Sequence, residues 1–148
     1  MTTTTNEKIR KGTVRHVESE LFDYHETVKR IKERREELMS NTVPEGRSIV
    51  EAIPDFEPLK YQSSTERLGI RLAMDKRLQE MERIAKAIEY VYNACDDERK
   101  KLIRLKYWAK PQKLTWEGIA AELHISRATA FRWRDEIIQA LSERLGWY

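Results

Sequence analysis

The chain has 148 residues, of which 40% are hydrophobic and 36% charged, and its formal net charge is only +3. This length suits one or two small domains, and the few glycines and prolines among many helix-forming residues predict an all-α protein. A single cysteine, Cys95, excludes an intrachain disulfide and a thiolate metal cluster, and it indicates a reducing, cytoplasmic setting. No apolar run reaches the ~18–20 residues of a membrane span, so no membrane partner is expected.

The first helix is expected to follow a polar tail. Residues 1–12 lack the apolar core of a signal peptide and are predicted to be disordered. Residues 13–40 are predicted to form one long helix, because apolar side chains recur at alternating intervals of three and four. These side chains are Val14, Val17, Leu21, Tyr24, Val28, Ile31 and Leu38. Such a seam must pack on another helix, in the same chain or in a second copy.

Residues 41–64 interrupt the helical pattern. They contain Pro44, Gly46, Pro54 and Pro58, so they are predicted to be a linker or a partner-binding segment. Residues 65–94 are predicted to form a second long helix whose apolar side comprises Leu68, Leu72, Leu78, Met81, Ile84, Ala85, Ile88, Val91 and Tyr92. The two long helices are expected to form a hairpin or coiled coil, within the chain or across a dimer. Residues 13–95 are therefore a predicted oligomerisation region.

Residues 96–148 are predicted to form a separate three-helix domain. Asp96 suits the cap of its first helix, which is expected to run to about Ala109 before Pro111 ends it. Gly146 is well placed to stop the last helix. Three tryptophans are expected in the core of this domain: Trp108, Trp116 and Trp133.

The stretch from Leu114 to Leu141 has the pattern of a helix-turn-helix. Thr115 is a predicted cap for Trp116 to Leu123, and Ser126 for a helix from Arg127 to about Leu141, with His124 and Ile125 in the turn. The inner face of the first helix comprises Ile119, Ala120 and Leu123. The inner face of the second comprises Ala130, Trp133, Ile137, Ile138 and Leu141.

The outer face of the second helix is basic. It carries Arg127, Ala128, Thr129, Phe131, Arg132 and Arg134, and together with the cap residue Ser126 these are the seven predicted DNA-contacting residues. A buried role does not require three arginines, whereas DNA reading does, because arginine binds guanine edges bidentately and neutralises phosphates. An ordinary helical hairpin with a solvated basic face is the alternative. The two caps, the short turn and the basic-aromatic face together favour DNA binding.

The sequence contains no recognisable catalytic arrangement. His16, His25 and His124 do not stand at metal-ligand spacing with other His, Cys or carboxylate residues. There is no glycine-rich phosphate loop and no nucleophile with a base beside it. We therefore expect a protein that is not an enzyme and that needs no metal or cofactor.

The C-terminal third, Glu98 to Leu145, resembles region 4 of bacterial sigma factors. The whole chain resembles phage transcriptional activators of the RinA/ArpU type, through short runs of matching residues: Thr13-Val14-Arg15, Val17-Glu18, Glu20-Leu21, Asp23-Tyr24, Trp116-Glu117, Ile119-Ala120, Ser126-Arg127 and Leu145-Gly146. This resemblance implies a regulator from a temperate phage of low-GC Gram-positive bacteria. It also implies action on late genes for packaging, morphogenesis and lysis.

The resemblance to sigma region 4 implies roles for individual residues. Arg127, Ala128 and Arg132 match the positions that contact promoter bases, and alanine is limited to a thymine methyl. Thr129 and Arg134 are better placed for phosphates, and Phe131 for a sugar or a thymine methyl. The sequence departs from the common pattern in its turn, where His124 replaces glycine, but histidine tolerates a positive φ better than most residues, so the turn is expected to form. It departs again inside the second helix, where Ala130 and Trp133 replace a valine and an isoleucine.

The leading interpretation is a sequence-specific DNA-binding transcription regulator. Its expected partners are double-stranded DNA, further copies of the same chain and, by resemblance, RNA polymerase; activation is likewise implied by resemblance alone. Two alternatives remain open. One is a small terminase-type subunit that binds DNA for packaging, and the other is a sigma-like adaptor that contacts polymerase without reading DNA.

Overall fold

The computed structural model describes residues 8–40, 64–111 and 114–148. These residues form seven α-helices and one π-helical turn and include no strand, which confirms the predicted all-α class. The helices are α1 (Lys11–Phe22), α2 (Tyr24–Ser40), α3 (Ser64–Met74), α4 (Lys76–Ala94), α5 (Asp97–Ile103), α6 (Trp116–Glu122) and α7 (Arg127–Leu145), and the π-helical turn (Arg104–Trp108) directly follows α5.

The chain divides into two compact units. The first combines the described residues up to His25 with Ile84–Tyr148, and the second is Glu26–Arg83. The helices α2 and α4 each contribute to both units. The first unit therefore includes α1 and the last part of α4 in addition to the three helices that the sequence pattern assigns to residues 96–148.

The first unit is built around a continuous apolar core. Its buried side chains come from α1, α4, α5, the π-helical turn, α6 and α7, and they are Val17, Leu21, Ile84, Ala87, Ile88, Val91, Leu102, Ile103, Tyr107, Ile119, Leu123, Trp133, Ile137, Ile138, Leu141 and Leu145. Burial of such side chains stabilises the fold by about 1.5–3 kcal/mol each. Of these three tryptophans, Trp133 is buried, whereas Trp108 and Trp116 are partly buried against the core.

Two contacts hold α1 in the first unit. The indole of Trp108 donates a 3.0 Å hydrogen bond to the carbonyl of Leu21, which satisfies an acceptor at the end of α1. At the other end of the unit, the rings of His16 and Trp147 stack with their centroids 4.2 Å apart. The C-terminal residues thus pack back on α1, after Gly146 ends α7 with a φ of 73°.

The second unit pairs α2 with α3 and α4 within one chain. Leu38 and Leu78 are its buried apolar side chains among the described residues. The guanidinium of Arg34 lies 2.6 Å from the Asp75 carboxylate, and Arg35 pairs with Glu82. The hydrogen bond from Arg34 holds the pKa of Asp75 below its ordinary value, although burial opposes this shift.

The prediction of two long continuous helices is wrong, because each of them is interrupted once. The first is interrupted at Asp23, whose ψ of 3° leaves the helical range, and the second at Asp75. The Asp75 carboxylate accepts a hydrogen bond from the backbone N–H of Leu78 at 2.8 Å, so it caps the start of α4. The apolar seam also shifts after the first break, because Thr27 is buried while Val28 is 41% exposed.

Other predicted boundaries differ by a few residues. Helix α1 begins at Lys11, so part of the predicted tail at 1–12 is helical. Helix α7 continues past Leu141 to Leu145 and ends at Gly146, the residue predicted to stop it. The end of the helix after Asp96 is a π-helical turn that stops at Trp108. The predicted tail at 1–7 and the predicted linker at 41–63 lie outside the described residues.

Candidate nucleic-acid interface

The candidate interface is built on α6, α7 and the turn between them. Thr115 caps α6 by accepting from the N–H of Gly118 at 3.2 Å, and Ser126 caps α7 by accepting from the N–H of Thr129 at 3.1 Å. Both predicted caps are confirmed. They fix where each helix starts and therefore which side chains of α7 face outward.

The turn between the helices closes on itself. The N–H of His124 bonds to the carbonyl of Ala121 at 3.2 Å, and the N–H of Ile125 bonds to that of Ala120 at 3.0 Å. This pair of bonds is a Schellman motif, which satisfies the last carbonyls of α6. His124 occupies its left-handed position with a φ of 56°, as predicted for a turn in which histidine replaces glycine.

Helix α7 has one buried face and one exposed face. All five predicted inner residues are buried: Ala130, Trp133, Ile137, Ile138 and Leu141. Four of the seven predicted DNA-contacting residues are exposed: Ser126, Arg127, Ala128 and Arg132. The other three, Thr129, Phe131 and Arg134, are half-buried. The structure therefore brings most of the predicted set onto one open surface and turns the rest toward neighbouring helices.

Arg127 is held by two neighbours on the exposed surface. Its guanidinium lies 3.1 Å from the Glu117 carboxylate of α6 and 5.1 Å from the centroid of the Phe131 ring. The Phe131 ring in turn packs on Trp116, with the centroids 4.9 Å apart. Phe131 is thus a platform between α6 and Arg127 rather than an isolated outward ring.

Arg134 is engaged by carboxylates of the protein itself. Its guanidinium lies 3.3 Å from Glu18 of α1 and 2.8 Å from Asp135. Burial favours the neutral guanidinium, but Asp135 and Glu18 outweigh this effect and raise the pKa of Arg134 above its ordinary value. Arg134 therefore connects α1 to α7.

Sequence reasoning missed Asp135 and Glu117. Asp135 is exposed and lies one turn after Arg132, on the same open face of α7. Its spacing from Arg132 was a usable signal, because residues three apart share a helix face. Glu117 carried no such signal, since its contact with Arg127 joins two different helices.

Comparison with known proteins identifies the family. Residues 16–143 match the family described as "Protein of unknown function (DUF722)". The chain belongs to this family. A relative from Staphylococcus phage phi11, named "Transcriptional activator rinA", is 28% identical over 138 residues, which cover 93% of this chain and 94% of the relative. The predicted resemblance to RinA-type phage proteins is thereby confirmed. No solved structure matches the chain.

Two further findings concern the described part of this DUF722 chain. It contains no group of three or more His, Cys, Asp or Glu side chains that could hold a metal ion. None of its helices combines the length and apolar character that crossing a bilayer requires.

Proposed function

We propose that this DUF722 chain is a phage transcriptional activator that binds specific double-stranded DNA. In this proposal α6 and α7 form a helix-turn-helix of the sigma region 4 type, and α7 enters the major groove. Arg127 and Arg132 read base edges, Ala128 contacts a thymine methyl, and Ser126 and Thr129 contact phosphates. Activation is proposed because the phi11 relative is named a transcriptional activator.

One observation carries the proposal: α7 is buried on one face and presents Arg132 and Ala128 on the other. Arg132 is exposed and makes no ion pair with any described residue. A helix of 19 residues is about 28 Å long, and the major groove, about 12 Å wide, admits a helix. An unpaired arginine on such a helix is suited to a guanine edge.

The ion pair between Arg127 and Glu117 is compatible with this role. Both side chains are more than half exposed, so the pair contributes only about 0–1 kcal/mol. A bidentate contact from arginine to guanine is worth about 1–3 kcal/mol, which exceeds that contribution. Arg127 can therefore exchange Glu117 for a base, while the Phe131 ring continues to support its guanidinium.

Among the predicted contacts, Arg134 has the least support as a phosphate ligand. Its guanidinium is already paired with Glu18 and Asp135, and its side chain is only 25% exposed. Releasing it would leave the partly buried Glu18 carboxylate without its partner, which is unfavourable. We assign Arg134 instead to holding α1 against α7.

The finer parts of the proposal concern targets and partners. We propose late genes as the target and RNA polymerase as a partner. We also propose that residues 13–95 assemble the protein into an oligomer, because two half-sites bound together raise the affinity of small modules. A ring-shaped assembly would favour the terminase-type alternative. Polymerase binding without sequence preference for DNA would favour the adaptor alternative.

The test compares binding to late-operon upstream DNA and to scrambled DNA of equal length at two salt concentrations. We expect wild type to prefer the specific fragment, and the preference to persist at the higher salt. Arg132→Ala should weaken specific binding by about 1–3 kcal/mol and scrambled binding much less. Lys101→Ala, which removes an exposed cation of α5 outside residues 13–95, is the control and should bind as wild type. Equal binding to both fragments that disappears with salt would contradict the proposal.

A further inference from the structure

We propose that the start of α1 is a second DNA contact, in which Lys8, Lys11 and Arg15 bind phosphates that flank the base pairs read by α7. The inference rests on the proposed function and extends it to a surface that lies outside the helix-turn-helix. It concerns affinity rather than sequence preference, because phosphates carry no base identity.

The first observation is a groove of about 720 Å³ between the start of α1 and the middle of α7. Val14 and Ile138 line it; Ile138 belongs to the apolar core of the first unit, and Val14 packs against that core. Lys8, Lys11 and Arg15 line the same groove as Asp135 of α7. Asp135 follows Arg132 by three residues, which places the three cations beside the exposed face of α7.

The second observation is the charge balance of this groove. Its two carboxylates, Glu18 and Asp135, both pair with Arg134. Lys8, Lys11 and Arg15 are exposed and make no ion pair with any described residue. Among the described residues that line the groove, the cations Lys8, Lys11, Arg15 and Arg134 outnumber the two carboxylates, so the groove favours an anionic ligand.

The third observation is that these charges are unfavourable for α1 itself. The cap residue Arg10 makes no side-chain cap hydrogen bond, and the first turn contains no acidic residue. Positive side chains at a helix start oppose the helix dipole, and a helix optimised for stability has acidic residues there. Residues that break a local stability rule are typical of binding surfaces.

DNA is the anion that fits this position. A duplex that seats α7 in its major groove presents its phosphate backbone on either side of that helix. Flexible lysines act as point charges toward phosphates and need no fixed geometry. A single helix-turn-helix also buries limited surface, so flanking contacts add affinity that the module lacks. An acidic segment of a partner protein is the competing ligand, and the experiment separates the two.

The test uses the full chain with Lys8→Gln, Lys11→Gln and Arg15→Gln combined. Glutamine removes charge while keeping helix propensity. We expect affinity for specific and for scrambled DNA to fall by similar factors, about fivefold per lost contact at about 0.15 M salt. The slope of log affinity against log salt should shrink by about 0.9 per contact, and the ratio of specific to scrambled affinity should stay at its wild-type value.

The matched control is Lys29→Gln, Lys32→Gln and Lys76→Gln, three exposed cations of the second unit. It lowers the net charge equally, so a salt slope that falls by the same amount in both triple variants would overturn the inference. The single variant Lys8→Gln changes a residue that precedes α1, so it should reduce the slope of log affinity against log salt without changing the helix content. The DNA assignment would also be overturned if the variant with Lys8, Lys11 and Arg15 replaced kept the wild-type salt slope and instead lost binding to an acidic protein partner. If the wild-type protein shows no preference for the specific fragment over scrambled DNA, that result contradicts the proposed function, on which this inference rests.

Discussion

Ser126 offers a test that separates the stability of α7 from its proposed contact with DNA. Its hydroxyl oxygen accepts from the N–H of Thr129 at 3.1 Å, and the hydroxyl also donates to the Thr129 side chain at 2.8 Å. Ser126→Ala removes both contacts. Because Ser126 is exposed, water replaces part of the lost hydrogen bonding. We therefore expect the free energy of unfolding to fall by about 1 kcal/mol, rather than by the roughly 2 kcal/mol seen for the strongest caps. For a chain of this size that lowers the unfolding temperature by about 2–4 °C.

Ser126→Asp is the informative partner of that variant. Aspartate caps a helix as well as serine does, and its charge suits the positive end of the α7 dipole. We expect it to unfold at or above the temperature of wild type. It also places a carboxylate where a DNA phosphate is proposed to lie, so binding to every DNA fragment should weaken.

Thermal unfolding followed by circular dichroism, together with DNA titration, gives both readouts for each variant. The cap argument is refuted if Ser126→Ala unfolds at the temperature of wild type, or if Ser126→Asp unfolds below Ser126→Ala. The placement of the α7 start at the DNA is refuted if Ser126→Asp binds DNA as tightly as wild type.

Three further predictions concern the fold. Gly146→Ala should lower the free energy of unfolding by about 1–2 kcal/mol, because φ is 73° at this position. Gly12→Ala should raise the free energy of unfolding by about 0.5–1 kcal/mol, because Gly12 lies in α1 and a new Cβ there meets no atom within 4 Å. Chemical denaturation of both variants checks this contrast. Burial and the hydrogen bond to Glu89 raise the pKa of Tyr24 to about 12, so its stabilising contribution is complete below about pH 10 and is lost as the pH rises from about 10 to about 12. Ultraviolet titration of wild type against Tyr24→Phe should show one phenol whose midpoint lies at about pH 12 rather than about 10. Because the pKa of Asp75 is lowered in the folded protein, the Asp75 carboxylate stabilises the fold at neutral pH, and this stabilisation is lost as the pH falls through the folded pKa. Asp75→Asn should therefore destabilise the chain at neutral pH but not in acid. Unfolding midpoints of wild type and variant that differ equally at both pH values would contradict this prediction.

Features that depend on a few neighbouring residues were predictable from the sequence. The caps at Asp96, Thr115 and Ser126 all accept the expected backbone hydrogen bonds, and Gly146 ends α7 in the left-handed conformation. Each of these depends on side-chain chemistry within one helical turn. The inner face of α7 was equally accessible, because helical spacing alone decides which of its residues are buried together.

Features that depend on distant parts of the chain were not predictable. The break at Asp75 reflects both a local cap and an ion pair with Arg34, which lies 41 residues earlier. The regular apolar pattern of residues 13–40 does not indicate that its two ends pack in different units. Val17 and Leu21 belong to the core of the first unit, whereas Leu38 is buried in the second. Arg134 has the spacing of an outer-face arginine, and only the fold brings Glu18 to it.

The dependence of α7 on α1 has a consequence for the order in which the protein is made. Leu21 lies 87 residues before Trp108, and Thr13 lies 135 residues before Tyr148, yet each is hydrogen-bonded to its distant partner. During translation α1 therefore leaves the ribosome long before the helices that cover Val17 and Leu21 exist. The nascent chain must carry an uncovered apolar helix through most of its synthesis, a state that favours engagement by chaperones. Helix α7 is the last helix to emerge, and it then packs on a support that was translated first.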